Sequence, residues 1–176
     1  MAVNSFAHHT SRHNRVLRRW DAFIKRTWRC QTKLDLPHSV PRGGRPKRPD
    51  IQLVNAHGGN RSIFVEGKCL HPIKTEHGVA RVAPLAALVP FAVTAPIIER
   101  DMRTRYAAYT AARHRTVPLL HECFGGLHPV AERFFEECAT QWRVSHCPAP
   151  GTPTWAARRV PEQALQAISV AIHAEV

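Results

Sequence analysis

A mixed α/β domain is what the sequence predicts, and three observations predict it. Apolar stripes at helical spacing alternate with short β-branched stretches. Proline- and glycine-rich breaks separate them. At 176 residues, 44% hydrophobic and 22% charged, the chain has the length and composition of about one globular core, which excludes wholesale disorder and a fibrous architecture.

The elements follow in order. Residues 1–13 are polar and unpatterned and read as a flexible tail. From Asn14, Val16, Trp20, Phe23, Ile24 and Trp28 share one stripe while Arg15, Arg18, Arg19, Lys25, Arg26 and Arg29 surround it, which is a basic amphipathic helix. Pro37, Pro41, Gly43, Gly44, Pro46 and Pro49 then forbid regular structure. Asp50-Ile-Gln-Leu-Val and Ser62-Ile-Phe-Val-Glu-Gly-Lys-Cys-Leu read as two strands around a His57-Gly-Gly-Asn60 turn, hence a hairpin.

Val79 to Ile98 is the most apolar segment, but Arg81, Pro84, Pro90 and Pro96 interrupt it, so no membrane span is expected. Ile98, Met102, Tyr106 and Tyr109 predict a helix over about 97–114, and Thr116-Val-Pro-Leu-Leu-His-Glu-Cys-Phe a strand that stops at Gly125-Gly126. Pro129 opens a helix with Val130, Phe134, Cys138 and Trp142 in register. Residues 145–154 form a linker, and Pro161 starts a last helix presenting Leu165, Ile168 and Ile172. The expected organisation is a tail over 1–13, a domain over 14–142, and a linker with its helix over 143–176.

Lysine and arginine number 25 against 13 acids, a net charge of +12, which favours a polyanionic partner. Residues 1–48 hold 12 basic residues against Asp21 and Asp35 alone, so the excess is N-terminal. Five cysteines, Cys30, Cys69, Cys123, Cys138 and Cys147, show no CxxC pair; they are expected to be reduced and mostly buried. The first residues lack the apolar core of a secretory signal, which makes an intracellular location the default, with a nuclear or organellar address open.

Asp50 follows Pro49, and Glu66-Gly67-Lys68 lies on the partner strand. Side chains alternate along a strand, so Glu66 and Lys68 point one way and Asp50 can join them across the ladder. Two carboxylates with the Gly67 carbonyl form an oxygen site suited to Mg2+ or Mn2+. An ion there would activate water and stabilise charge on a phosphate, while Lys68 would position the water or neutralise that charge. Arg42, Arg45, Lys47 and Arg48 run directly into Asp50 and are expected to draw a phosphate backbone towards it, with Arg15, Arg18 and Arg19 as further nucleic-acid contacts.

This constellation resembles the PD-(D/E)xK motif of the restriction-endonuclease-like superfamily, with Asp50, Glu66 and Lys68 at its three signature positions. The stretch from RPDIQLV through VEGKCLHP, RYAAYTAA and TVPLLHECFGG to the following helix is similar to the nuclease domain near the C-terminus of some non-LTR retrotransposon polyproteins. It covers about residues 14–142. In those relatives the second acidic residue is often Asp and the position of Lys68 often small, while His71-Pro72 and Gly125-Gly126 have counterparts. The resemblance implies a central mixed sheet flanked by helices in the order αβββαβ, and metal-dependent DNA cleavage.

The same residues have plainer roles. Asp50 can stabilise a turn, Glu66 and Lys68 can form a solvated strand face, and His71 can end a strand. Trp20 and Trp28 read as packing residues, and Glu122 as a charge on an edge strand. The alternative to an endonuclease is a non-catalytic basic protein binding DNA or RNA, such as a ribonucleoprotein subunit. A homodimer or a larger polyprotein is compatible with either, and a reading frame made basic by base composition is a third alternative.

Overall fold

The computed structural model describes residues 5–34, 49–56, 60–70, 73–76, 79–82, 104, 106–122, 127–147 and 155–173. Its elements in chain order are α1 (Ser5–Trp28), β1 (Thr32–Leu34), β2 (Ile51–Leu53), β3 (Ile63–Leu70), β4 (Ile73–Glu76), β5 (Val79–Val82), α2 (Ala107–Ala111), β6 (Arg115–Glu122), α3 (Pro129–His146) and α4 (Trp155–His173).

The fold is mixed α/β. Four strands form one sheet in the order β1-β2-β3-β6, and β4 pairs with β5 in a separate hairpin. The pairs β1–β2 and β2–β3 are antiparallel, with Ile51 opposite Val65, whereas β3 and β6 run parallel from Ile63↔Arg115 to Leu70↔Glu122. Leaving the small hairpin aside, helices and sheet strands succeed one another as α1-β1-β2-β3-α2-β6.

The β2–β3 hairpin forms where the β-branched and aromatic residues predict it. Asn55 and Asn60 in its connection take positive φ of 55° and 63°, which asparagine accepts more readily than most residues. Val65, Gly67 and Cys69 pair with Val117, Leu119 and His121, so alternation sends these six residues to one face. Val16, Leu17, Trp20, Phe23 and Ile24 of α1 cover that face, joined by Phe134, Phe135 and Cys138 of α3 and Ile168, Ala171 and Ile172 of α4. On the opposite face Phe64 lies against Tyr109, with ring centroids 4.4 Å apart, and against His114 at 5.1 Å. A sheet covered on both sides explains why Ile63, Phe64 and Val65 are all buried.

Several expectations are corrected. The first helix starts at Ser5, ahead of the predicted Asn14, so most of the predicted tail is helical. β1 was not predicted; it is three residues long and too short to show a period, and Thr32 is tied to α1 through a 2.7 Å bond from its hydroxyl to Asp21. β4 and β5 were also missed, β5 falling at the start of the proline-interrupted apolar segment. Within the predicted 97–114 helix, α2 occupies Ala107–Ala111, and residues 97–103 and 105 lie outside the described residues. Arg113, with φ at 61°, turns the chain into β6.

α3 continues to His146, into the predicted linker, and α4 begins at Trp155 with Pro161 inside it. An interior proline costs a helix one hydrogen bond, and burial of Pro161 and Ile168 against the core offsets that loss. α4 contributes Ile168, Ala171 and Ile172 to the core. Of the described cysteines, all free, Cys138 is buried while Cys30, Cys69 and Cys147 are half-buried. Burial pushes the Cys138 thiol up to about 12, so it is inert packing, but the three half-buried thiols correct the expectation that the cysteines are mostly buried.

Candidate active site

The site is built where β2 parts from β3. The last described pair at that end is Ile51↔Val65, and extending the register by one residue sets Asp50 opposite Glu66. Asp50 lies at a bend, and its side chain replaces a ladder partner: Oδ2 accepts the Gly67 N–H at 2.8 Å. That N–H faces the side of β3 that β2 no longer covers, and the carboxylate satisfies it. Pro49 before it is buried and lacks a donor, so it needs no ladder partner.

The second oxygen of Asp50 faces α1. Nε2 of His13 stands 3.6 Å from Oδ1, with the two side chains 19% and 13% exposed. α1 can come this near because Gly67 has no side chain. A Cβ built there would lie 2.6 Å from Leu17 Cδ2 and 3.7 Å from Asp50 Oδ2. Leu17 is one helical turn beyond His13, so the bare backbone at Gly67 sets the position of both.

Glu66 and Lys68 flank Gly67 and, by alternation, leave β3 towards the side of Phe64. Both are half-buried. The buried Tyr106 donates its hydroxyl to Glu66 Oε2. A merely solvated strand face is thereby corrected for Glu66. The structure thus brings Asp50 to the backbone between Glu66 and Lys68, with Asp50 answered by His13 and Glu66 by Tyr106.

Behind this group lies His121 on β6, fully buried. Its Nε2 accepts the Trp20 indole N–H at 3.0 Å, which places the ring proton on Nδ1, an atom with no hydrogen-bond partner among the described residues. Burial, and secondarily the charge of nearby His13, lowers its pKa to about 4. Trp20 is a packing residue, as expected.

Carboxylate oxygens are the usual donors to a hard divalent ion, but here Asp50 is held on the Gly67 N–H and turned towards α1, whereas Glu66 leaves β3 on the Phe64 side and is held by Tyr106. Among the described residues no three His, Cys, Asp or Glu side chains gather into a metal-binding group. An ion at Asp50 would therefore need the Gly67 carbonyl, water or phosphate as further donors, as Mg2+ usually does.

Arg15, Arg18 and Arg19 line a groove of about 660 Å³ between α1 and α4, with Gln163, Gln166 and Val170 among its other walls. At about 100° per residue they lie roughly 140–240° around the α1 axis from His13, so this groove opens on the side of the helix away from Asp50. Arg42, Arg45, Lys47 and Arg48, with His71-Pro72 and Gly125-Gly126, lie outside the described residues, and so does the side chain of Glu122.

Sequence reasoning missed His13, Tyr106 and His121 as site residues. Starting the first helix at Asn14 cut off His13, although it continues the stripe of Leu17, Trp20 and Ile24. His121 was legible as the inward position after Val117 and Leu119. The tie from Tyr106 to Glu66 spans forty residues and has no local signal. No family model, curated protein or solved structure matches the chain. No helix among the described residues is long and apolar enough to cross a membrane.

Proposed function

We propose that the chain is a divalent-metal-dependent DNA endonuclease with a restriction-endonuclease-like core, hydrolysing phosphodiester bonds with Mg2+ or Mn2+. The observation that carries this reading is the seating of Asp50 on the Gly67 N–H, inside Glu66-Gly67-Lys68. The element order α1-β1-β2-β3-α2-β6 supports it, being the order that the sequence resemblance implies.

Asp50 and Glu66 would hold the ion, with the Gly67 carbonyl as third protein oxygen. When bound, the ion supplies an activated water and offsets phosphate charge. Gly67 holds Asp50 in place, Tyr106 fixes one oxygen of Glu66, and the Lys68 ammonium adds a positive charge beside the pair. Arg42, Arg45, Lys47 and Arg48 precede Asp50 and would supply sequence-independent phosphate contacts.

Incubation of supercoiled plasmid with Mg2+ or Mn2+ tests the reading, comparing the wild type with Asp50→Ala and Lys68→Ala. Cleavage by the wild type and its loss in both variants, with DNA binding retained, is the expected result. Equal cleavage by all three proteins removes the enzyme. A second reading, a non-catalytic basic nucleic-acid binder, is favoured by one observation: the Arg15–Arg18–Arg19 groove lies away from Asp50. It predicts salt-sensitive DNA or RNA binding that Arg18→Ala with Arg19→Ala weakens while Asp50→Ala leaves it unchanged.

A further inference from the structure

We propose that the groove between α1 and α4 docks an acidic amphipathic helix of a partner protein. The two helices leave between them a space of about 660 Å³, walled by Arg15, Arg18 and Arg19 on one side and by Gln163, Gln166 and Val170 on the other. Such a space between neighbouring helices is one that the side-chain ridge of a third helix can fill. Its lining is mainly apolar, and Val170 is 67% exposed although Ile168 and Ile172, two residues to either side, are buried in the core. Ala167 and Ala171 form the floor beside it, small enough for another backbone to come close. The assignment is independent of the chemistry at Asp50, which lies on the other side of α1.

Charge complementarity selects the occupant. Among the described residues no carboxylate lines the groove, and Arg18 and Arg19 are exposed. Arg26, two turns beyond Arg19 and also exposed, extends the row, so the arginines from Arg15 to Arg26 cover roughly 16 Å of α1. The opposite wall is neutral at Gln163 and Gln166. A helix seated here therefore turns carboxylates to α1 and an apolar stripe at i, i+4 and i+7 to Val170. Nucleic acid fits less well: among the described residues no aromatic ring lines the groove for a base to stack on, and a phosphate backbone leaves Val170 uncovered. A second copy of the chain offers no such acidic face among its described helices. On α3 the exposed Glu132 and Glu136 alternate with Arg133 and Arg143, and on α4 Glu162 stands 3.6 Å from Arg159.

The probe is a synthetic peptide helix of about four turns, with leucines at i, i+4 and i+7 and glutamates along one flank of that stripe. It is titrated into the isotopically labelled full chain and followed by NMR, beside a shuffled peptide of the same composition and a short DNA duplex. The expected result is saturable shifts at Ala167 and Val170, with the shuffled peptide binding roughly tenfold more weakly or worse. Arg18→Glu with Arg19→Glu, and separately Val170→Asp, weaken the acidic peptide by a similar factor; all three positions are exposed, and circular dichroism confirms the fold. Replacing the peptide's glutamates by lysines restores binding to the charge-reversed variant. Equal binding of the shuffled peptide reduces the contact to bulk charge and overturns the assignment. So does the absence of saturable peptide binding, or shifts confined to residues outside the groove. A duplex that shifts Val170 and displaces the peptide gives the groove to nucleic acid instead.

Discussion

Trp20 on α1 donates its indole N–H to Nε2 of His121 on β6, at 3.0 Å in the fully buried core. That nitrogen can accept only while it carries no proton, and burial keeps it so by lowering the imidazole pKa to about 4.

Stability therefore depends on pH through this one ring. In the unfolded chain the imidazole takes up a proton near its ordinary pH of about 6.5; in the folded chain it does so only near about 4. Its contribution is complete above the upper value and is lost as the pH falls towards the lower one, amounting to about 3 kcal/mol over the whole window. Urea unfolding at several pH values between 7.5 and 4.5 measures it. His121→Gln retains an acceptor for Trp20 but does not titrate, so it flattens this part of the profile; an unchanged slope in the variant refutes the argument.

Asp50→Asn separates charge from hydrogen bonding. The amide oxygen still accepts the Gly67 N–H, so thermal stability stays close to the wild type while plasmid cleavage falls by roughly 100-fold or more. Asp50→Ala leaves that N–H without its partner and loses about 1–3 kcal/mol besides. Paired melting and cleavage measurements check both, and a large stability loss in Asp50→Asn contradicts the prediction.

Gly67→Ala is expected to destabilise by about 1–3 kcal/mol, because the new methyl meets Leu17 Cδ2 inside a filled core. In a Leu17→Ala background the same change should be nearly free. A double-mutant cycle reads the coupling, and strict additivity would place the clash elsewhere.

Tyr106→Phe removes the hydroxyl that Glu66 accepts while keeping the buried ring. The expected loss is about 1–3 kcal/mol, since the acceptor is a carboxylate. If Glu66 serves the ion, the Mg2+ concentration for half-maximal cleavage rises several-fold. A variant as stable as the wild type would mean that water replaces the tyrosine.

Much of this arrangement was legible in the residues. Ile51, Leu53, Ile63 and Val65 mark the hairpin by β-branching and alternation, and Val16, Trp20, Phe23 and Ile24 mark the first helix by period. The strand at Arg115–Glu122 and the helix from Pro129 also follow from local pattern. Thr32–Leu34 did not, since three residues carry no period and their pairing with β2 is a tertiary event. Pro161 misled in the opposite direction: proline marks a helix start in isolation, but packing against the core carries α4 through it. The Glu66-Gly67-Lys68 motif was readable at once, whereas the contacts of its carboxylates with His13 and Tyr106 depend on elements brought in from distant sequence.

The parallel ladder between β3 and β6 also has a consequence in time. Ile63 pairs with Arg115, so a long loop must close before any rung forms, and the helix that covers both strands is synthesised before either. On the ribosome, the greasy side of Ser5–Trp28 waits for Ile168 and Ile172, which emerge much later, before its burial is complete. Chaperone demand and sensitivity to early termination are thus written into the connectivity.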